Sequence, residues 1–510
     1  MKRNAILIGF SFLLSKILGL VRDNMLAAYF GTAGENHDAL FNLDTYYAAF
    51  RIPDLLFNLL SYGVLSAAFV PIFVEILKKE GKPQAFRFSN EILHTLGVLI
   101  MVISVILILV TGPLLKIFVP GFTEENFAVT LKLTRLMSLT PIFFTIGAIA
   151  AGIQNAFHTF LGLALAPIMY NLGILGGIIF LSKTHGVYGV AIGVGIGAFL
   201  NMAIQIPAIR RAGFRYEWPK SWWGPRIKEM LLLSLPRIFG MSVQQLSLII
   251  DTIIASTLTA GSITVINFAS NLESLPLGLI GISVAVVSFG TLAGFAAENR
   301  TADLAKEISK NLQRILSLLI PLGAGMFLLR KEIVQLLLEH GKFSSTDGAL
   351  TANTLGIFLA GLAFSGIVFL LARGFYALKN TKIPVLVSVL SVSINIGLSL
   401  VLTKVFSLSV YGLAIANSSA DILNASVLFV LLQRRLRIPL MEWKEILKFV
   451  TSTFIMVGVV IITKEKFSFL FSEIQPTIKL GLEIASSTLL GGGAYFGMRW
   501  LLTAKKHGAA

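Results

Sequence analysis

The feature that most constrains this chain is the recurrence of apolar stretches long enough to cross a bilayer. They run at about 5–30, 46–77, 91–118, 127–156, 160–182, 187–209, 229–256, 263–295, 312–329, 350–378, 383–405, 410–432, 446–463 and 478–502. Roughly 20 apolar residues of helix cross the hydrocarbon layer, so these windows predict about fourteen spans. Within lipid every backbone polar group needs a partner inside the protein, which makes spans of this length helices. Composition agrees: 55% of the 510 residues are hydrophobic and only 13% charged, against about 25% charged in soluble domains. Mean hydropathy is +0.82. The expected fold is an all-α polytopic membrane protein. Met1-Lys2-Arg3 and the following apolar run lack a small-residue cleavage site, which predicts an uncleaved first helix.

Loop charges give an orientation. One alternate set of loops carries Lys78, Lys79, Lys82 and Arg87, then Arg210, Arg211, Arg215, Lys220, Arg226 and Lys228, then Arg434, Arg435 and Arg437. The other set is sparse, with residues such as Lys183, Arg330 and Lys404. The positive-inside rule puts the rich set, and with it both termini, in the cytoplasm. The same excess accounts for the net charge of +16 without nucleic acid. Trp218, Trp222 and Trp223 in the central basic loop read as an interfacial anchor. The chain has no Cys, and its six His form no metal-ligand pair. Thiol chemistry and Cys-ligated metals are excluded, no nucleophile–base pair stands out, and neither an enzyme nor a bound cofactor is expected. The Gly-rich runs 193–197 and 491–493 lack the strand–loop–helix setting of a phosphate loop and read as close helix packing.

The chain repeats itself weakly. Val187-Tyr188-Gly189 returns as Val410-Tyr411-Gly412, Asn201 as Asn424, Asn171-Leu172-Gly173 as Asn395-Ile396-Gly397, and Leu14 to Gly19 as Leu235 to Gly240. The agreeing offsets predict two pseudo-symmetric six-helix lobes, 1–212 and 226–437, joined by a cytoplasmic loop at 213–225. A further helix pair lies in 438–510. An even helix number per lobe makes the repeats parallel, an arrangement that suits a transporter alternating access between two sides.

Ionisable groups inside spans are costly unless paired or facing water, so each is a candidate for function. Lys16, Gly19 and Asp23 share one face of the first helix, with Arg22 beside them. The second helix carries Asp44, Tyr47, Arg51 and Asn58 at matching spacing, and Pro53 predicts a kink there. The seventh carries Arg237, Gln244 and Asp251; the eighth Asn271, Glu273 and Pro276; the twelfth Asn417, Asp421 and Asn424. Lys16, Arg22 and Arg51 together suit an anionic, phosphate-bearing ligand. The oxygens of Asp251, Asn417 and Asp421 could hold Na⁺, although an interhelical hydrogen-bond network explains them as well. Neutralising pairs that merely join helices are the plain alternative for all of these groups.

These residues resemble the MurJ/MviN family of lipid II flippases, within the multidrug/oligosaccharidyl-lipid/polysaccharide exporter superfamily. The resemblance spans essentially the whole chain. It rests most specifically on Ser15-Lys16-Ile17-Leu18-Gly19-Leu20-Val21-Arg22-Asp23, then on Phe50 to Leu56, Gly63 to Pro71, and Gly374-Phe375-Tyr376-Ala377 with Thr381-Lys382-Ile383-Pro384. It implies fourteen helices in a bacterial inner membrane and outward flipping of the undecaprenyl-pyrophosphate-linked peptidoglycan precursor. It also implies a substrate site drawn from Lys16, Arg22, Asp23 and Arg51. Asp44, Arg237 and Glu273 join the expected site from their place in the spans. Membrane lipids are the other expected partners, and coupling to the membrane potential or to Na⁺ is the expected energy source. Phe57, Asn58 and Asn271 stand where the family typically carries Arg, which leaves open a flippase for another polyprenyl-linked oligosaccharide. A multidrug extruder should show an acidic rather than a basic cavity, and a transport-inactive scaffold should tolerate loss of the three cations.

Overall fold

The computed structural model describes residues 2–33, 38–59, 68–219, 221–470 and 475–504, and the regular structure among them is helical throughout. It divides into two compact units. The first comprises residues 1–264 with 340–343, the second 265–339 with 344–510.

The first unit holds α1 (Lys2–Phe30), α2 (Leu43–Leu56), α3 (Val70–Lys79), α4 (Lys82–Phe118), α5 (Glu124–Met137) and α6 (Thr140–Ala156). It continues with α7 (Leu161–Gly176), α8 (Ser182–His185), α9 (Val187–Ala203), α10 (Ile206–Arg211) and α11 (Pro225–Ser256). The boundary between units falls in the first turn of α12 (Ser262–Pro276). The second unit continues with α13 (Ser283–Ala297), α14 (Thr301–Leu328), α15 (Arg330–Leu337), α16 (Ser345–Ala377), α17 (Lys382–Leu400), α18 (Ser409–Leu436), α19 (Trp443–Leu470) and α20 (Pro476–Ala504). Helix starts are written in the sequence. Proline opens α4, α6, α10 and α11, where its missing N–H costs nothing. Ser344 and Asp347 close a capping box on α16.

Among the described residues the predicted windows fall mainly on helix, with 60–67 of the second window lying outside them. Among the described residues, ten helical segments are long and apolar enough to cross a membrane. The other four windows lie on α1, α2–α3, α11 and α20. Gly and Ser dilute the apolar run of α20.

The repeat recurs in the helix irregularities. Widened π turns at Gly177–Leu181 and Val401–Val405 stand 224 residues apart. Pro53 and Pro276, 223 apart, are each followed by a π turn, at 57–59 and at Leu277–Ile282. Proline removes one backbone donor, and the turn widens to satisfy the freed carbonyl. The compact units do not follow the repeat boundary, because α11 packs with the first unit through α2 and α4. Arg226 at its start pairs with Glu80, and Thr252 near its end receives Arg51. Compactness reports packing, whereas the repeat reports sequence ancestry.

Close packing explains the first glycine run. A Cβ on Gly173 of α7 would overlap Gly197 of α9, and one on Gly177 would come within 2.7 Å of the Gly193 Cα. Gly173→Leu should therefore separate α7 from α9, at a cost of about 1–3 kcal/mol from overpacking. A lowered thermal unfolding midpoint is the expected result, and an unchanged one would show that this interface relaxes freely. In the second run only Gly491 is confined, against Val460 at 2.6 Å, while Gly492 and Gly493 face open space.

The last two helices belong to the second unit. The Tyr495 hydroxyl of α20 donates to the Ser317 carbonyl of α14 at 2.7 Å, and Lys464 of α19 pairs with Glu332 of α15 at 2.7 Å. In the first unit, the connector after α10 lies along α4. Asn90 donates to the Arg215 carbonyl at 3.1 Å and Thr95 to that of Trp222 at 2.6 Å. The His94 ring packs against Trp218 at 4.5 Å, and its Nε2 meets the Tyr216 hydroxyl.

Candidate functional site

The polar centre of the first unit is built on α1, α2, α7 and α11. Arg22 of α1 donates from Nε and Nη2 to Asp23 Oδ1, at 3.0 and 2.8 Å, and from Nη1 to Asn171 Oδ1 of α7 at 3.4 Å. Asn171 in turn donates to Ser15 Oγ at 3.2 Å and to the Pro167 carbonyl at 3.0 Å. The two neighbours on α1 thus pair directly. The guanidinium stem is long enough to fold across one residue, and burial of Asp23 to 5% exposure makes neutralisation favourable. Tyr46 and Tyr47 of α2 approach Arg22, with their own rings edge to face at 5.2 Å.

Arg51, one helical step along α2, donates to Thr252 Oγ1 of α11 at 3.1 Å. Asp54 and Asp251 lie close enough to act on it electrostatically. Lys16 is different. Its ammonium lies 5.9 Å from the Phe12 ring centroid and within the field of Arg22 and Asp23, and among the described residues it forms no ion pair. Three cations therefore face three carboxylates in this unit: Asp23, Asp54 and Asp251. Asp54, three residues beyond Arg51 on the same helix, was not singled out in the sequence, although its spacing puts it beside that cation. Tyr170 was also missed; it carries no signal in an apolar helix, yet it lies near Arg22 and Asp54.

Asp44 has another task. Its carboxylate accepts from the backbone N–H of Gly261 at 2.7 Å, and from the N–H and hydroxyl of Thr264 at 2.8 and 2.7 Å. At 4% exposure it anchors the first turn of α12. Spacing alone put it on the Arg51 stripe; only tertiary packing brings a helix start to it. Phe57 packs on Phe144 at 4.6 Å, and Phe144 on Tyr170 at 5.2 Å. The position where Arg was expected from the resemblance extends an aromatic wall beside the polar centre. The Arg237 side chain lies outside the described residues.

In the second unit, Glu273 of α12 and Asp421 of α18 act on each other electrostatically. Asp421 accepts a short hydrogen bond from the Ser365 hydroxyl of α16. Asn417 donates to the Leu413 carbonyl at 3.3 Å. The three oxygen ligands suggested for Na⁺ are not one cluster within either unit, since Asp251 lies in the first beside Arg51. Among the described residues no group of three or more His, Asp or Glu is placed to hold a metal ion.

Comparison with known proteins gives a consistent result. The profile of the lipid II flippase MurJ family matches residues 26–478. A probable lipid II flippase MurJ of Rhizobium tropici is 30% identical over 438 residues, covering 84% of this chain and 80% of that protein. The lipid II flippase MurJ of Burkholderia cenocepacia is 26% identical over 500 residues, covering 96% and 95%. A solved lipid II flippase MurJ in an inward closed conformation superimposes with a TM-score of 0.80 at 25% identity, covering 98% of this chain and 99% of the other. An inward-facing multidrug transporter of the MATE family reaches 0.70 at 14% identity over 83% of this chain and 94% of its own, which shows a shared fold.

Proposed function

Because the chain belongs to the MurJ family of lipid II flippases, we propose that it carries the undecaprenyl-pyrophosphate-linked peptidoglycan precursor from the inner to the outer leaflet by alternating access. It is a multi-pass membrane transporter, not a catalyst of bond chemistry. The observation that carries the substrate reading is the cationic wall of the first unit. Among the described residues Lys16 forms no ion pair, Arg22 is paired with Asp23, and Arg51 lies in the field of Asp54 and Asp251, carboxylates whose place a pyrophosphate can take. Arg forks match phosphate oxygens two bonds at a time. In the empty site Asp23, Asp54 and Asp251 offset the cost of holding these cations in a membrane. When the headgroup arrives, the ion pairs exchange; when it leaves, they re-form, which keeps binding weak enough for release. A polar path avoids placing the sugar headgroup in hydrocarbon, where each unpaired hydroxyl costs several kcal/mol. The potential, negative inside, favours outward movement of the anion by about 2.3 kcal/mol per charge per 100 mV. Extrusion of a cationic drug fits the shared fold but not the basic cluster of Lys16, Arg22 and Arg51.

The test is replacement: deplete the resident lipid II flippase from cells, supply this protein, and measure precursor reaching the outer leaflet. Restored delivery supports the proposal, and folded protein in the membrane without delivery defeats it.

The proposed topology has fourteen spans, with both termini and the Arg210–Lys228 segment cytoplasmic. The chain is free of cysteine, so single labels are clean. Cysteines introduced at the exposed positions Gln84 and Trp222 should resist an impermeant thiol reagent in intact cells, and one at Glu125 should react. The opposite pattern would reverse the topology and the transport direction together.

A further inference from the structure

A groove of about 550 Å³ lies in the first unit between α4, α6 and α10, against the connector. Its volume falls within the roughly 300–1,000 Å³ of small-molecule sites. The walls are aliphatic, including Ile146, Ile153 and Ile206, and polar groups gather at one end in Arg210, Arg215 and Tyr216. Both arginines are exposed, and among the described residues neither guanidinium has an ion-pair partner. The end is nonetheless fixed, because Asn90 holds the Arg215 carbonyl and Tyr216 meets His94. None of these residues belongs to the polar centre built on Arg22 and Arg51.

We propose that this groove binds an anionic phospholipid, with an acyl chain along the isoleucine wall and the phosphate between Arg210 and Arg215. An apolar trough closed at one end by two unpaired guanidiniums complements an amphiphile with a single anionic head. Basic pockets between helices at a membrane surface recognise anionic headgroups in this way. A soluble phosphate would leave the apolar wall uncovered, and a zwitterionic lipid would bring a second cation to the arginines. Tyr216, at 55% exposure, is placed to donate or accept at the glycerol level beside Trp218 and Trp222. The occupied groove would brace the connector against α4. The proposal requires the connector to lie at a membrane surface and is independent of what the chain transports.

The test is native mass spectrometry of the purified full chain titrated with dioleoyl phosphatidylglycerol or dioleoyl phosphatidylcholine. Phosphatidylglycerol should be retained, and Arg210→Ala/Arg215→Ala should weaken its binding by about thirtyfold, roughly 2 kcal/mol at 1.4 kcal/mol per tenfold. Ile146→Trp, which fills the groove and leaves the arginines intact, should weaken it similarly. Equal retention of the two lipids, or phosphatidylglycerol binding unchanged in the double arginine variant, would overturn the site. So would full retention by Ile146→Trp, because the arginines would then be acting as an open surface patch. Undecaprenyl phosphate displacing phosphatidylglycerol at equimolar concentration would give the groove to the transported lipid instead. Loss of transport in cells with lipid retention intact would count against the flippase reading alone.

Discussion

Arg22→Ala should reduce delivery of precursor to the outer leaflet by about a hundredfold per folded molecule, while Arg330→Ala stays within about twofold. Each charge-assisted hydrogen bond to phosphate contributes roughly 1.5–3 kcal/mol, and each 1.4 kcal/mol is tenfold. Arg22 lies in the polar centre with Asp23, Asn171 and two tyrosines. Arg330 starts α15, where it donates to the Phe327 carbonyl at 2.7 Å and covers the Phe327 ring. Removing Arg22 also takes an ion-pair partner from the buried Asp23, and breaking a buried pair on one side costs about 3–5 kcal/mol. The comparison therefore includes Arg22→Lys, which keeps the charge without the fork, and Arg22→Ala/Asp23→Asn, which removes the stranded anion. Arg22→Lys should retain part of the transport, and the double variant should recover stability but not transport. Equal transport by Arg22→Ala and Arg330→Ala would remove the anion site.

Asp44→Ala should act on stability rather than on substrate. It takes the acceptor from Gly261 N–H, Thr264 N–H and the Thr264 hydroxyl, all buried with it. An unpaired buried donor costs about 1–3 kcal/mol, and loss of a helix cap about 0.5–2, so a total of roughly 2–4 kcal/mol is expected. The thermal unfolding midpoint of the purified protein should fall clearly, and the remaining folded fraction should still transport. Transport lost at an unchanged midpoint would return Asp44 to the moving ion pairs.

The sequence by itself determined the class of fold, the windows and the charged helix faces. Each follows from local physics: apolar length against bilayer thickness, and period against helical pitch. The repeat was legible too, and its prolines and π turns recur at the same offset because a missing N–H acts on its own helix. Partnership was not legible. Sequence spacing placed Asp44, Arg51 and Asp23 among one set of charges, but only packing gave Asp44 to the start of α12 and brought Thr252 and Asp251 to Arg51. Tyr170 and Asn171 acquired their roles because glycines let α7 and α9 close together, so α7 meets α1 with its polar edge. The groove beside Arg210 and Arg215 belongs to the same category. Its isoleucines are ordinary span residues in sequence, and three helices and a connector must meet before they form a wall. A helical pattern fixes which side chains share a face; what that face meets depends on distant segments whose packing no local period encodes.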